Sequence, residues 1–91
     1  MSQSDKTRVT VEIHNRSYTI VGQEPAHRMR MVASLVDQKM SEISAANPNL
    51  DTAKLAVLTA VNTTNDYLKL KEDYAQLLGS ITRKEASKDN D

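Results

Sequence analysis

The sequence predicts an α+β fold in which an N-terminal β-hairpin and a short helix form a small head and one long C-terminal helix makes an oligomeric coiled coil. Apolar residues alternate with polar ones near the N-terminus, they recur at three- and four-residue steps after Pro25, and no proline interrupts the chain from Thr52 to Lys84. Alternation is the period of a strand, and the three-and-four step is the period of a helix. The expected boundaries are 1–50 for the head (hairpin at about 8–21, helix at about 25–46), 51–85 for the long helix and 86–91 for a disordered tail.

Two short strands and a tight turn make up the predicted hairpin. The first strand covers the N-terminal alternation, and the second covers 17–21. With Asn15 and Arg16 as a two-residue turn, Ile13 lies opposite Tyr18, and apolar residues pair with apolar residues along one face. This register places Arg16 at the hairpin tip.

The short helix is predicted from its start signal, its apolar stripe and its stop signal. Pro25 suits the first helical position, where its missing N–H costs nothing. Pro48 disfavours helical geometry at Asn47 and ends the helix, and Asp51 then caps the long helix. The stripe expected to face the core consists of Met29, Val32, Ala33, Val36, Met40 and Ile43.

The long helix changes character along its length. Its first half, from Lys54 to Val61, is apolar on most sides and is expected to pack on the head. Its second half narrows to a seam that steps by three, four, three and four residues, the heptad spacing of a coiled coil. A four-stranded bundle would bury this seam and its flanking residues better than a dimer would. The predicted self-association residues are Tyr67, Leu68, Leu70, Tyr74, Leu77, Leu78 and Ile81.

Four polar residues, 62–65, separate the two halves of this helix. One interpretation is a solvent-facing stretch, which we favour. The other is that Asn62 or Asn65 lies at a subunit interface and fixes its register, as a buried polar residue does in some coiled coils.

Composition argues against most enzyme and ligand-binding classes. There is no cysteine, and two glycines and two histidines supply neither a phosphate-binding loop nor a metal cage. We therefore predict no catalytic residues, no metal and no cofactor. Zero formal net charge predicts no nucleic-acid partner. No apolar run approaches the roughly 20 residues that span a bilayer, and the N-terminus lacks the apolar core of a signal peptide, so we expect a cytoplasmic protein without a membrane partner.

Three segments occur in a characteristic order: the hairpin VTVEIHNRSYTIVG, the stop NPNLD, and the run KLAVLTAVNTTNDYLKLKEDYAQL from Lys54 to Leu77. In combination they resemble the bacterial cell division family ZapA, in the form found in Gram-positive rods. The resemblance covers nearly the whole chain. It implies dimers that join through antiparallel coiled-coil packing of the long helix into a homotetramer.

The resemblance also implies a function and a binding surface. Proteins of this family bind the tubulin-like division GTPase FtsZ and cross-link its protofilaments at the midcell septum, which promotes Z-ring assembly. The head is the end expected to touch FtsZ, and Arg16 matches the basic residue that the family carries at the hairpin turn. The remaining partner-binding candidates, from that turn and from charged positions near the predicted head surface, are Asn15, Lys39, Glu42 and Lys54.

A regulatory adaptor is the alternative function. In that case the free stripe of the C-terminal helix would dock an unknown client helix instead of a second copy of the chain. The mass in solution without any client distinguishes the two, because the adaptor predicts a smaller oligomer.

Overall fold

The computed structural model describes residues 6–89 of the chain. Four elements follow one another: β1 (Thr7–Ile13), β2 (Arg16–Gly22), α1 (Ala26–Ala46) and α2 (Thr52–Asp89). A hairpin followed by a shorter helix and a long C-terminal helix confirms the predicted α+β class. The chain forms two compact units, Met1–Thr59 and Ala60–Asp91. The hairpin, α1 and the start of α2 lie in the first unit, and the remainder of α2 forms the second.

The hairpin differs from its predicted register by two residues. β1 and β2 pair antiparallel with Ile13 opposite Arg16 and Val11 opposite Tyr18. The turn therefore consists of His14 and Asn15, with φ of 53° and 63°. Positive φ at both central residues is the type I′ geometry, whose twist matches the twist of the flanking strands. The predicted turn at Asn15 and Arg16 was wrong, and Arg16 is the first residue of β2.

α1 packs on one face of the hairpin. Val9, Val11, Met29 and Ala33 form the buried cluster, and Ile13, Ile20 and Ala26 pack against its edge. The helix begins one residue later than predicted. Pro25 is its N-cap, with an extended ψ of 153° and a carbonyl oxygen that accepts hydrogen bonds from the N–H groups of Arg28 and Met29.

The predicted apolar stripe of α1 is wider than the surface that the hairpin covers. Met29, Ala33 and Met40 are buried, as expected of a core-facing stripe. In the isolated chain Val32 is 50% exposed, so its predicted place in the core was wrong.

α2 begins where the sequence predicted and extends further. The N–H of Lys54 donates to Oδ1 of Asp51 at 2.8 Å, which confirms Asp51 as the cap. The helix runs through Gly79 to Asp89, so the disordered tail predicted from residue 86 was wrong as far as residue 89. Residues 90–91 lie outside the described residues.

Only part of the apolar first half of α2 is covered. Leu55 is 1% exposed, and Thr59 is buried with its hydroxyl donating to the Leu55 carbonyl at 2.8 Å. Val57 and Val61 are 63% and 59% exposed, so this half of the helix is covered on one side and open on the other. Between residues 6 and 89, no helix is long and apolar enough to cross a membrane.

Candidate self-association and partner-binding surfaces

The second half of α2 carries a row of exposed apolar side chains. Five of its members recur at heptad spacing and two flank them, because α2 is continuous through this region. Each is close to half exposed or more, from 46% for Ile81 to 67% for Leu70. We call this row the seam: Tyr67, Leu68, Leu70, Tyr74, Leu77, Leu78 and Ile81. Soluble monomers rarely leave so large an apolar stripe in water, so the seam is a candidate interaction surface.

Polar residues lie beside the seam and at its N-terminal side. The ammonium group of Lys71 lies 5.4 Å from the centre of the Tyr67 ring, within range of a cation–π contact. The four residues 62–65, at the N-terminal side of the seam, are all exposed in the isolated chain. Their exposure fits the solvent-facing interpretation and equally fits an interface that a second chain would complete.

The first unit also exposes apolar surface, which sequence reasoning did not identify. Met31, Val32 and Leu35 of α1 are each at least half exposed. At the start of α2, an open apolar groove of about 380 Å³ is lined by Leu50, Ala53, Lys54, Val57 and Leu58. The signal in the sequence was the excess of apolar residues in these helices over what one hairpin face can cover.

The partner-binding candidates are distributed over three elements. Asn15 and Arg16 are adjacent and exposed at the hairpin turn. Glu42 is exposed on α1, where its Oε2 accepts a 3.5 Å hydrogen bond from Gln38, whereas Lys39 is half-buried. Lys54 is exposed in the first turn of α2. The candidates thus fall into two adjacent pairs, Asn15 with Arg16 at the turn and Lys39 with Glu42 one helical turn apart on α1, and Lys54 lies on a third element.

One residue that the sequence did not single out contacts this turn. Oδ1 of Asp37, on α1, accepts a hydrogen bond of 2.8 Å from the backbone N–H of His14. The contact joins residues 23 apart and is partly buried. His14 itself is the first residue of the turn. No local signal could have identified Asp37, because its role depends on how α1 packs on the hairpin.

The described residues hold no arrangement suited to metal chemistry. Among them, no group of three or more His, Asp or Glu side chains could hold a metal ion. Every buried side-chain polar atom in the described part of the chain has a hydrogen-bond partner. The surfaces described above present apolar side chains along the seam and charged or polar groups around the hairpin turn.

Known proteins with similar sequences are cell division proteins. The family model for cell division protein ZapA matches residues 9–89. A cell division protein ZapA from Oceanobacillus iheyensis is 69% identical over 85 residues, which cover 93% of this chain and 99% of that protein. A cell division protein ZapA from Geobacillus thermodenitrificans is 52% identical over 91 residues, which cover the whole of this chain and the whole of that protein.

Two solved structures share the fold. A ZapA mutant dimer from Geobacillus stearothermophilus superposes with a TM-score of 0.67 at 50% identity, covering 90% of this chain and 95% of that one. An unknown conserved bacterial protein from Pseudomonas aeruginosa PAO1 gives a TM-score of 0.70 at 29% identity, covering 85% of this chain and 86% of that one. Because the family model matches most of the chain and these relatives are similar over nearly all of it, the chain belongs to the ZapA family of cell division proteins.

Proposed function

We propose that this chain is a non-enzymatic cell division protein that binds FtsZ and cross-links or bundles its protofilaments, acting in the cytoplasm at the division septum. The observation that carries the proposal is the exposed seam on α2. It occurs in a chain that belongs to the family of cell division protein ZapA. The seam supplies self-association, and the head supplies the filament contact.

Self-association is the first half of the mechanism. The exposed seam needs apolar cover, and a second copy of the same seam provides a matching heptad row. A relative of the same fold is described as a dimer, which supports pairing between identical chains. We propose a homotetramer built from two dimers, because a four-helix arrangement covers both the heptad positions and the flanking Leu68 and Leu78.

Bivalent binding is the second half. A tetramer carries four copies of the head, so one assembly holds two filaments at once. Linked binding sites convert weak single contacts into strong overall attachment, because the second contact forms at a high effective concentration. Modest affinity at each head is therefore sufficient for bundling.

The seam is tested by replacing Tyr74 and Leu77 with glutamate in one variant. Each side chain contributes about 2 kcal/mol when it is buried, and a charge in its place opposes burial. We expect sedimentation velocity to show a smaller species than the wild type. The matched control combines Lys69→Gln with Gln76→Glu at positions outside the seam. It changes the net charge by the same amount, and we expect it to keep the oligomer mass of the wild type. A variant that retains the full oligomer would show that these residues lie outside the interface.

The head contact is tested by Arg16→Glu. A reversed charge at a partner-binding position replaces attraction with repulsion, and we expect filament bundling to need roughly tenfold more protein. Because Arg16 lies in the first unit and far along the sequence from the seam, the oligomer should keep its mass. Arg8→Glu is the control. Arg8 is also exposed, but with its partner Val21 it lies on the face of the hairpin opposite to Arg16.

The decisive assay is co-sedimentation with GTP-assembled FtsZ, followed in parallel by light scattering. Bundling by the intact protein and by the Arg8 control, with loss in both the seam and Arg16 variants, supports cross-linking through heads on a tetramer. If the intact protein stays in the supernatant and scattering does not rise, the FtsZ proposal fails. The adaptor function would then gain support if the seam captured a client helix.

A further inference from the structure

The hairpin turn has an unusual backbone for the residues that form it. Both His14 and Asn15 adopt positive φ, at 53° and 63°. Glycine reaches this region at no steric cost, whereas side-chain-bearing residues are strained there. Asn and His tolerate it better than most residues, but such a conformation persists only when its surroundings favour it.

A contact from α1 supplies such surroundings. The strand ladder ends at the Ile13–Arg16 pair, so the N–H of His14 lies outside it. That N–H donates to Oδ1 of Asp37 at 2.8 Å in a partly buried position. A hydrogen bond to a carboxylate is stronger than one between neutral groups, and partial burial reduces competition from water. The turn is therefore tied to α1 at its first residue.

Arg16 follows this turn directly and is exposed. Its backbone position depends on the two residues before it, because an alternative turn would shift the pairing of β2 with β1. We propose that Asp37 is a positioning residue for partner binding: its carboxylate holds the His14–Asn15 turn in the type I′ geometry and thereby fixes where Arg16 is presented. This inference rests on the proposed function of Arg16 in binding the filament.

Asp37→Ala removes the acceptor and leaves α1 intact, since alanine has a higher helix propensity than aspartate. We expect the amide hydrogen of His14 to exchange roughly tenfold faster or more, which corresponds to loss of a hydrogen bond to a charged group. FtsZ bundling should fall toward the level of Arg16→Glu, with no change of oligomer mass. Asp37→Asn keeps an oxygen acceptor in the same place and should retain most of the protection and the bundling.

Rescue through the turn itself separates positioning from general stability. Glycine adopts positive φ without steric cost, so His14→Gly relieves the strain at the first turn residue and favours the two-residue turn without help from α1. The double variant Asp37→Ala with His14→Gly should recover bundling although the acceptor on α1 is still absent. In an Arg16→Glu background, Asp37→Ala should cause no further loss, because both changes act on the same contact.

Distinct results overturn this inference and the proposed function. Unchanged exchange at His14 in Asp37→Ala, or failure of His14→Gly to restore bundling in the double variant, would overturn the positioning role. If Arg16→Glu bundles filaments as well as the wild type does, the assignment of Arg16 fails. The exchange of the His14 amide would still report whether Asp37 holds the turn.

Discussion

Single polar residues decide where α1 ends and where α2 begins. Asn47 closes α1: its backbone N–H donates to the carbonyl oxygens of Ile43 and Ser44 at 2.9 and 3.1 Å, and its side-chain amide donates to Ile43 at 3.0 Å. Pro48 then prevents continuation of the helix. Asp51 begins α2 by accepting the N–H of Lys54. The sequence predicted these boundaries within a residue because caps and proline stops act on near neighbours.

The cap of α2 gives a prediction at this scale. Asp51→Ala leaves the N–H of Lys54 without its side-chain acceptor, and loss of an N-cap costs about 1 kcal/mol. For a domain of this size, we expect the melting temperature to fall by about 4–8 °C at fixed protein concentration. Thermal melting followed by circular dichroism at 222 nm measures this change in melting temperature. Asp51→Ser is the control, because serine is also a good cap, and equal melting of the alanine and wild-type proteins would contradict the capping role.

At the scale of the elements, the hairpin shows what a hydrophobic pattern can and cannot determine. A turn at His14–Asn15 and a turn at Asn15–Arg16 leave the same residues on the same face, because they differ by two residues in pairing. Apolar alternation therefore fixed the faces and left the register open. Turn chemistry determines the register. Both turn residues need positive φ, and His is among the residues enriched at positive φ, whereas Arg is not.

The helices show a second limit, which concerns burial and the candidate site. Periodicity placed α1 and α2 correctly, because a 3.6-residue repeat is a local property. It could not separate residues that face the hairpin, such as Met29, from residues that remain exposed, such as Val32. Nor could it find the contact between Asp37 and His14, which depends on packing between residues distant in the sequence. The heptad row was visible for the same reason that the helices were, and what covers it remains a prediction.

At the scale of the whole molecule, the buried core is small. It consists of Val9, Val11, Met29, Ala33, Met40 and Leu55, and among the described residues more large apolar side chains are exposed than buried. Cysteine is absent, so no disulfide can stabilise the fold. A small chain without such staples gains stability chiefly by covering its apolar surface with another chain. We therefore expect folding and assembly to be coupled.

Coupled folding and assembly predict a melting temperature that rises with protein concentration. Each tenfold increase stabilises a tetramer that dissociates on unfolding by about 1 kcal/mol per chain, and a dimer by about 0.7 kcal/mol per chain. At 91 residues, this corresponds to about 4–8 °C per decade for the tetramer. The Tyr74 and Leu77 glutamate variant should show a shallower dependence, because it loses part of the interface, whereas the Lys69 and Gln76 control should follow the wild type. Melting that is independent of concentration over two decades would mean that the chain is stable alone and that its exposed seam serves a different partner.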